Sequence, residues 1–92
     1  MKIQIDYSKQ ATKFLLKNQN TVSENLIEAN IVKAIKKILK IEASSIDLKK
    51  LKGNLKGFYR IRIGKVRVIF SISAKKLIIV FIRIIDVRGN VY

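Results

Sequence analysis

Apolar positions recur along this chain at two different periods, and the change from one to the other divides it. "KIQID" (2–6) alternates polar and apolar residues, which predicts a short strand with Ile3 and Ile5 on one face. Ser8 is placed to cap a helix over 9–18, "KQATKFLLKN", in which Ala11, Phe14 and Leu15 form one apolar stripe opposite a lysine-rich face. "TVSE" (21–24) resembles a capping box with Thr21 at the N-cap and Glu24 three residues later. A second helix over 22–40 follows, with Leu26, Ile27, Ile31, Ile35, Ile38 and Leu39 on one side and Lys33, Lys36, Lys37 and Lys40 in its C-terminal half.

The next segment, "IEASSIDLKKLKGNLKG" (41–57), sustains no period and reads as a basic loop with one short helical turn. From residue 58 the period becomes two and β-branched residues dominate, giving strands over 58–63, 66–72 and 77–87 with turns at 64–65 and 73–76. The expected fold is α+β: a short N-terminal strand, a two-helix hairpin, then a mainly antiparallel twisted sheet. At 92 residues the chain is expected to be one domain, 1–92.

A Gly-first turn at Gly64-Lys65 suits a type II′ hairpin and sets a register: Ile63 opposite Val66, Arg62 opposite Arg67, Ile61 opposite Val68, Arg60 opposite Ile69. Alternation then puts Tyr59, Ile61, Ile63, Val66, Val68 and Phe70 on a core face and Arg60, Arg62 and Arg67 on the other. Like charges directly opposite in a sheet are unfavourable by an amount comparable to the roughly 0.2–1 kcal/mol of a good cross-strand pair. Stability alone does not choose such an arrangement. Arginine, however, grips phosphate through a planar fork and stays charged near neutral pH. All five arginines lie between 60 and 88. The arginine face therefore reads as a phosphate cradle, the plainer alternative being a solvated charged face with stems laid over apolar neighbours.

The formal net charge of +14 extends this picture, because it exceeds the magnitude of about 2–8 usual for a small soluble domain. An anionic partner is expected. Codon bias and solubility also account for the lysines; they do not account for the position of the arginines. There is no cysteine and no histidine, which excludes disulfides, thiolate nucleophiles, imidazole acid–base pairs and most zinc sites. No cofactor or metal is expected. The N-terminus lacks the apolar core of a signal peptide and "LIIVFIRII" (77–85) is too short to span a bilayer, so a cytoplasmic location without a membrane partner is the simplest expectation.

"LKKLKG" (48–53), "YRIRIGKVRVIFSI" (59–72) and "RGNVY" (88–92), in this order and spacing, resemble the RelE/ParE superfamily of toxins from type II toxin–antitoxin systems. The resemblance implies a RelE-like fold over the whole chain and neutralisation by a small acidic antitoxin. In the RelE-like branch it implies cleavage of messenger RNA at the ribosomal A site, with the 2′-hydroxyl of the substrate attacking the adjacent phosphate. It carries a catalytic set onto Arg60, Arg62, Arg67, Arg88 and Tyr92; beside it, Lys49, Lys50, Lys52, Lys56 and Lys65 are read as phosphate contacts to RNA. The partners implied are the antitoxin, the ribosome and messenger RNA, with no small-molecule substrate. The ParE-like branch instead implies inhibition of DNA gyrase without catalysis, and a weakened or inactive toxin remnant is a third alternative. Arg60 and Arg62 stand where active RelE-like members often carry lysines. Arginine stabilises a phosphorane but accepts protons poorly, so reduced activity, or a base supplied by Tyr92 or the ribosome, stays open.

Overall fold

The computed structural model of the protein describes residues 2–87. Its elements are β1 (Ile3–Tyr7), α1 (Lys9–Lys17), α2 (Glu24–Ile38), β2 (Leu48–Lys50), a 3-10 turn (Gly53–Leu55), β3 (Tyr59–Ile63), β4 (Val66–Ala74) and β5 (Ile78–Val87). They build the expected α+β architecture around one five-stranded sheet of order β1-β5-β4-β3-β2. The sheet is antiparallel except at one edge, where β1 runs parallel to β5.

Both helices start on serine. Ser8 accepts a hydrogen bond from the Ala11 amide and donates its hydroxyl to the Arg83 carbonyl at 2.6 Å, fixing the start of α1 against β5. For α2 the cap is Ser23 rather than Thr21: its hydroxyl accepts from the Leu26 amide at 3.1 Å, and the Thr21 amide instead closes a turn onto the Asn18 carbonyl. That shift buries Val22 before the cap together with Ile27 after it, the two positions of a hydrophobic staple. At the other end α2 stops at Ile38, short of the expected residue 40. Lys40 turns left-handed (φ 58°), and the Ile41 and Lys40 amides close onto the Lys36 and Lys37 carbonyls, which is a Schellman ending built on lysine instead of glycine.

The β3–β4 register is the one expected from the turn, with Arg62 opposite Arg67 and Arg60 opposite Ile69. Gly64 supplies the positive φ (59°) that a Gly-first hairpin turn requires, and Lys65 does not share it. Two features depart from the sequence reading. The segment 41–57 contains the strand β2, which pairs with β3, in addition to its short helical turn. In β5 the run of isoleucines does not obey simple alternation, because the register shifts opposite Ile69 and Phe70 and leaves Arg83 as the extra residue. The bulge lets Ile82 and Ile85, three apart, both face the core.

That core lies between the helices and one face of the sheet. Ile27, Ile31 and Ile35 from α2 meet Ile61, Val66, Val68, Phe70, Val80, Ile82 and Ile85 from the sheet, all fully or almost fully buried. Tyr59 stacks on Phe70 with ring centroids 5.8 Å apart. Leu26 and Leu39, expected on the buried stripe of α2, stand exposed. The helices cover one face only, and the opposite face carries the arginines.

Candidate functional site

Register lays out the open face of the sheet as rows running across the strands. Lys49 on β2, Arg60 on β3, Ile69 on β4 and Ile84 on β5 form one row. In the next row Arg62 lies opposite Arg67, and Arg67 opposite Asp86. Extending the β2–β3 pairing by one residue brings in Asp47, whose carbonyl accepts from the Arg62 amide at 3.3 Å. The row therefore reads Asp47, Arg62, Arg67, Asp86, with two cations between two carboxylates.

The side chains close this pattern. Arg67 donates Nε to Asp86 Oδ1 at 2.9 Å and Nη2 to Asp86 Oδ2 at 2.6 Å, a bidentate pair. Asp47 bridges two arginines: Arg60 Nη2 donates to its Oδ1 at 2.7 Å, and Arg62 Nη1 lies 3.5 Å from its Oδ2. The like-charge contact between Arg62 and Arg67 is thus offset from both sides, which explains how the sheet tolerates it. Asp47 and Asp86 are the residues that the sequence reading missed.

Burial grades the three arginines. The Arg60 side chain is only 10 % exposed, beside Ile69, which is buried but outside the helix-side core. Arg62 is more open, yet its Nε is buried and meets no hydrogen-bond acceptor among the described residues. Arg67 is the most accessible, at 40 % of its side chain. Arg83, at the bulge, holds its guanidinium over the Phe58 ring, 5.4 Å from the centroid.

The structure brings Arg60, Arg62 and Arg67 onto one face with exposed Lys49 directly beside Arg60. Lys50 lies opposite Tyr59 and so belongs to the helix side of the sheet. Lys50, Lys52 and Lys56 line a hollow with Leu51 at the 3-10 turn, and Lys65 stands exposed in the hairpin turn beyond the arginine row. Arg88 and Tyr92 lie outside the described residues. Among the described residues, no three Asp or Glu side chains converge as metal ligands would, and no helix is long and apolar enough to cross a membrane.

Phosphate is the ligand this chemistry suits: fixed guanidinium donors on a rigid sheet, with Lys49 beside them. A family model described as the ParE toxin of type II toxin–antitoxin systems (parDE) matches residues 5–90. The chain belongs to the ParE toxin family. Solved structures of similar fold extend the likeness across the wider RelE/ParE/YoeB group. A YoeB/ParE toxin from Agrobacterium tumefaciens is 13 % identical at a TM-score of 0.63, covering 92 % of this chain and 98 % of that one. A YafQ variant from Escherichia coli is 13 % identical at a TM-score of 0.62, covering 96 % of both chains. The RelBE2 toxin–antitoxin complex of Mycobacterium tuberculosis contains a chain 19 % identical at a TM-score of 0.56, covering 96 % of this chain and all (100 %) of that one. At these identities the shared property is the fold. No curated protein sequence matches this ParE-family chain significantly.

Proposed function

We propose that this toxin, acting as a single domain over 1–92, is a ribosome-dependent endoribonuclease that cleaves messenger RNA by attack of the substrate's 2′-hydroxyl on the adjacent phosphate. The observation that carries the reading is the adjacency of Arg62 and Arg67 on neighbouring strands, with Arg60 and Lys49 in the next row. Arg62 and Arg67 hold the scissile phosphate. Arg60 and Arg88 neutralise the charge that develops on the phosphorane, and Tyr92 stacks on the substrate or exchanges a proton with it. Lys49, Lys50, Lys52, Lys56 and Lys65 contact RNA phosphates, so affinity falls steeply with salt. The reaction supplies its own nucleophile, and fixed cations meet the charge that follows.

The partner is a small acidic antitoxin that binds the toxin in the cytoplasm. The net charge of +14 supports this, as do the toxin–antitoxin complexes among the structures of similar fold, RelBE2 and the YoeB–YefM complex of Staphylococcus aureus. The second reading, a ParE-like gyrase inhibitor without catalysis, is favoured by the ParE family match itself. Mapping RNA 5′ ends in cells induced for the wild type and for Arg67→Ala separates the two. Cuts at translated codons that vanish in the variant support the nuclease. Growth arrest with double-strand DNA breaks and no such cuts supports gyrase inhibition.

A further inference from the structure

The side chain that meets Arg60 and Arg62 is itself an anion. Asp47 gives one carboxylate oxygen to each arginine, 2.7 Å from Arg60 and 3.5 Å from Arg62. It is 53 % exposed whereas Arg60 is 10 % exposed, so the carboxylate reaches solvent while the guanidinium that it contacts scarcely does. A phosphate approaching from solvent and bridging the same two arginines meets Asp47 in its way.

We propose that Asp47 caps this site as a carboxylate stand-in for phosphate, and that an RNA phosphate gains Arg60 and Arg62 by displacing it. The inference rests on the reading of these arginines as phosphate ligands. Three observations support exchange over a purely structural pair. The contact to Arg62 is at the long end of an ion pair, so half of the bridge is weak. Arg62 Nε is a buried donor that no described residue satisfies, and a phosphate offers more oxygens than the two of a carboxylate to reach it. Asp47 is anchored to β3 through its main chain, by its carbonyl to the Arg62 amide, so its side chain can turn to solvent while the strand stays paired.

Displacement makes the site selective. A monoanion in solution must compete with a carboxylate tethered to the same sheet, whose effective concentration is high. A phosphate held in place by other contacts, such as those of Lys49 and the neighbouring lysines, competes on better terms. Asp47 is thus a specificity-determining residue that suppresses binding of free anions.

The test uses the full-length, isotope-labelled protein, with inorganic phosphate as the probe and the Arg62 Nε–H signal as a readout that surface lysines do not obscure. Asp47→Asn is expected to tighten phosphate at Arg62 by about tenfold or more. Glu42→Gln removes an equal charge paired with Lys36 and is expected to change the constant by less than about twofold. In the wild type, the Asp47 carboxyl carbon is expected to shift with the same midpoint as Arg62 Nε–H, a measurement that stands even if Asp47→Asn does not fold. The proposal is overturned by unchanged or weaker binding in Asp47→Asn, by an Asp47 signal that stays still while Arg62 shifts, or by no phosphate response at Arg62 in either protein. None of these readouts involves cleavage. Tightening without any RNA cleavage keeps the cap and removes the nuclease, and cleavage without tightening does the reverse.

Discussion

The two faces of the sheet are built from the same strands by different rules. On the helix side, β3, β4 and β5 present mainly isoleucine, valine and phenylalanine, buried against the two helices and indifferent to their exact partner so long as volume is filled. On the open side the arginines are held by carboxylates on neighbouring strands or just beyond them: Arg67 by Asp86, Arg60 and Arg62 by Asp47. The first face sets stability. The second sets what the surface can bind, because a guanidinium held by a carboxylate keeps its position while its net charge is largely cancelled. Three arginines and two aspartates leave that face with far less positive charge than its arginines alone suggest.

Substitutions that respect this division have separable effects. The largest loss of stability is expected on the helix side. Phe70→Ala removes a fully buried ring stacked on Tyr59 and is expected to cost about 3–5 kcal/mol in chemical denaturation. A loss under about 1 kcal/mol would mean that the core is not organised around this strand.

Next comes the polar contact within the helix side. The Tyr7 hydroxyl on β1 donates to Glu28 Oε2 on α2 at 2.6 Å. Burial first, then this hydrogen bond, then the charges of Glu28 and Glu24, push the phenol well above the usual tyrosine range. Tyr7→Phe is expected to cost about 1–2 kcal/mol near neutral pH. The folded-state pKa is raised above the unfolded one, so the contribution is complete below the ordinary tyrosine pKa of about 10 and is lost as pH rises beyond it. Unfolding measured from pH 8 to about 11 should therefore show a shallower alkaline decline for Tyr7→Phe than for the wild type. Parallel declines would remove Tyr7 from that role.

The smallest effect on stability is expected on the open face. Asp86→Asn leaves Arg67 without its carboxylate but with solvent access, and should cost about 1 kcal/mol or less. A loss as large as that of Phe70→Ala would show that the arginine row supports the fold as much as it does binding.

How much of this was legible in the sequence follows the same division. Local period placed the helices, β3, β4 and their register, since each depends on residues a few positions apart and on one glycine turn. Where a decision depended on distant partners, pattern was silent. The three-residue β2 exists because β3 pairs with it, and no period can form in three residues. The bulge in β5 is a response to β4 and to the need to bury both Ile82 and Ile85. Asp47 lies 13 residues from Arg60, and Asp86 lies 19 from Arg67, so only strand order brings them together. A usable signal did exist: Asp86 keeps the outward parity of Ile84 near the end of a strand that is apolar apart from Arg83, where a carboxylate needs a cation close by. Arg88 and Tyr92, which the resemblance assigned to the catalytic set, fall beyond the described residues, whereas Arg60, Arg62 and Arg67 lie on described strands.

The central claim is that the open face acts and the helix side holds. Growth arrest by an Arg62→Ala/Arg67→Ala double variant, measured beside its thermal unfolding, tests it most directly. The account predicts a cooperatively folded protein, with a midpoint within a few degrees of the wild type, that no longer arrests growth. A folded double variant that arrests growth as well as the wild type would contradict it.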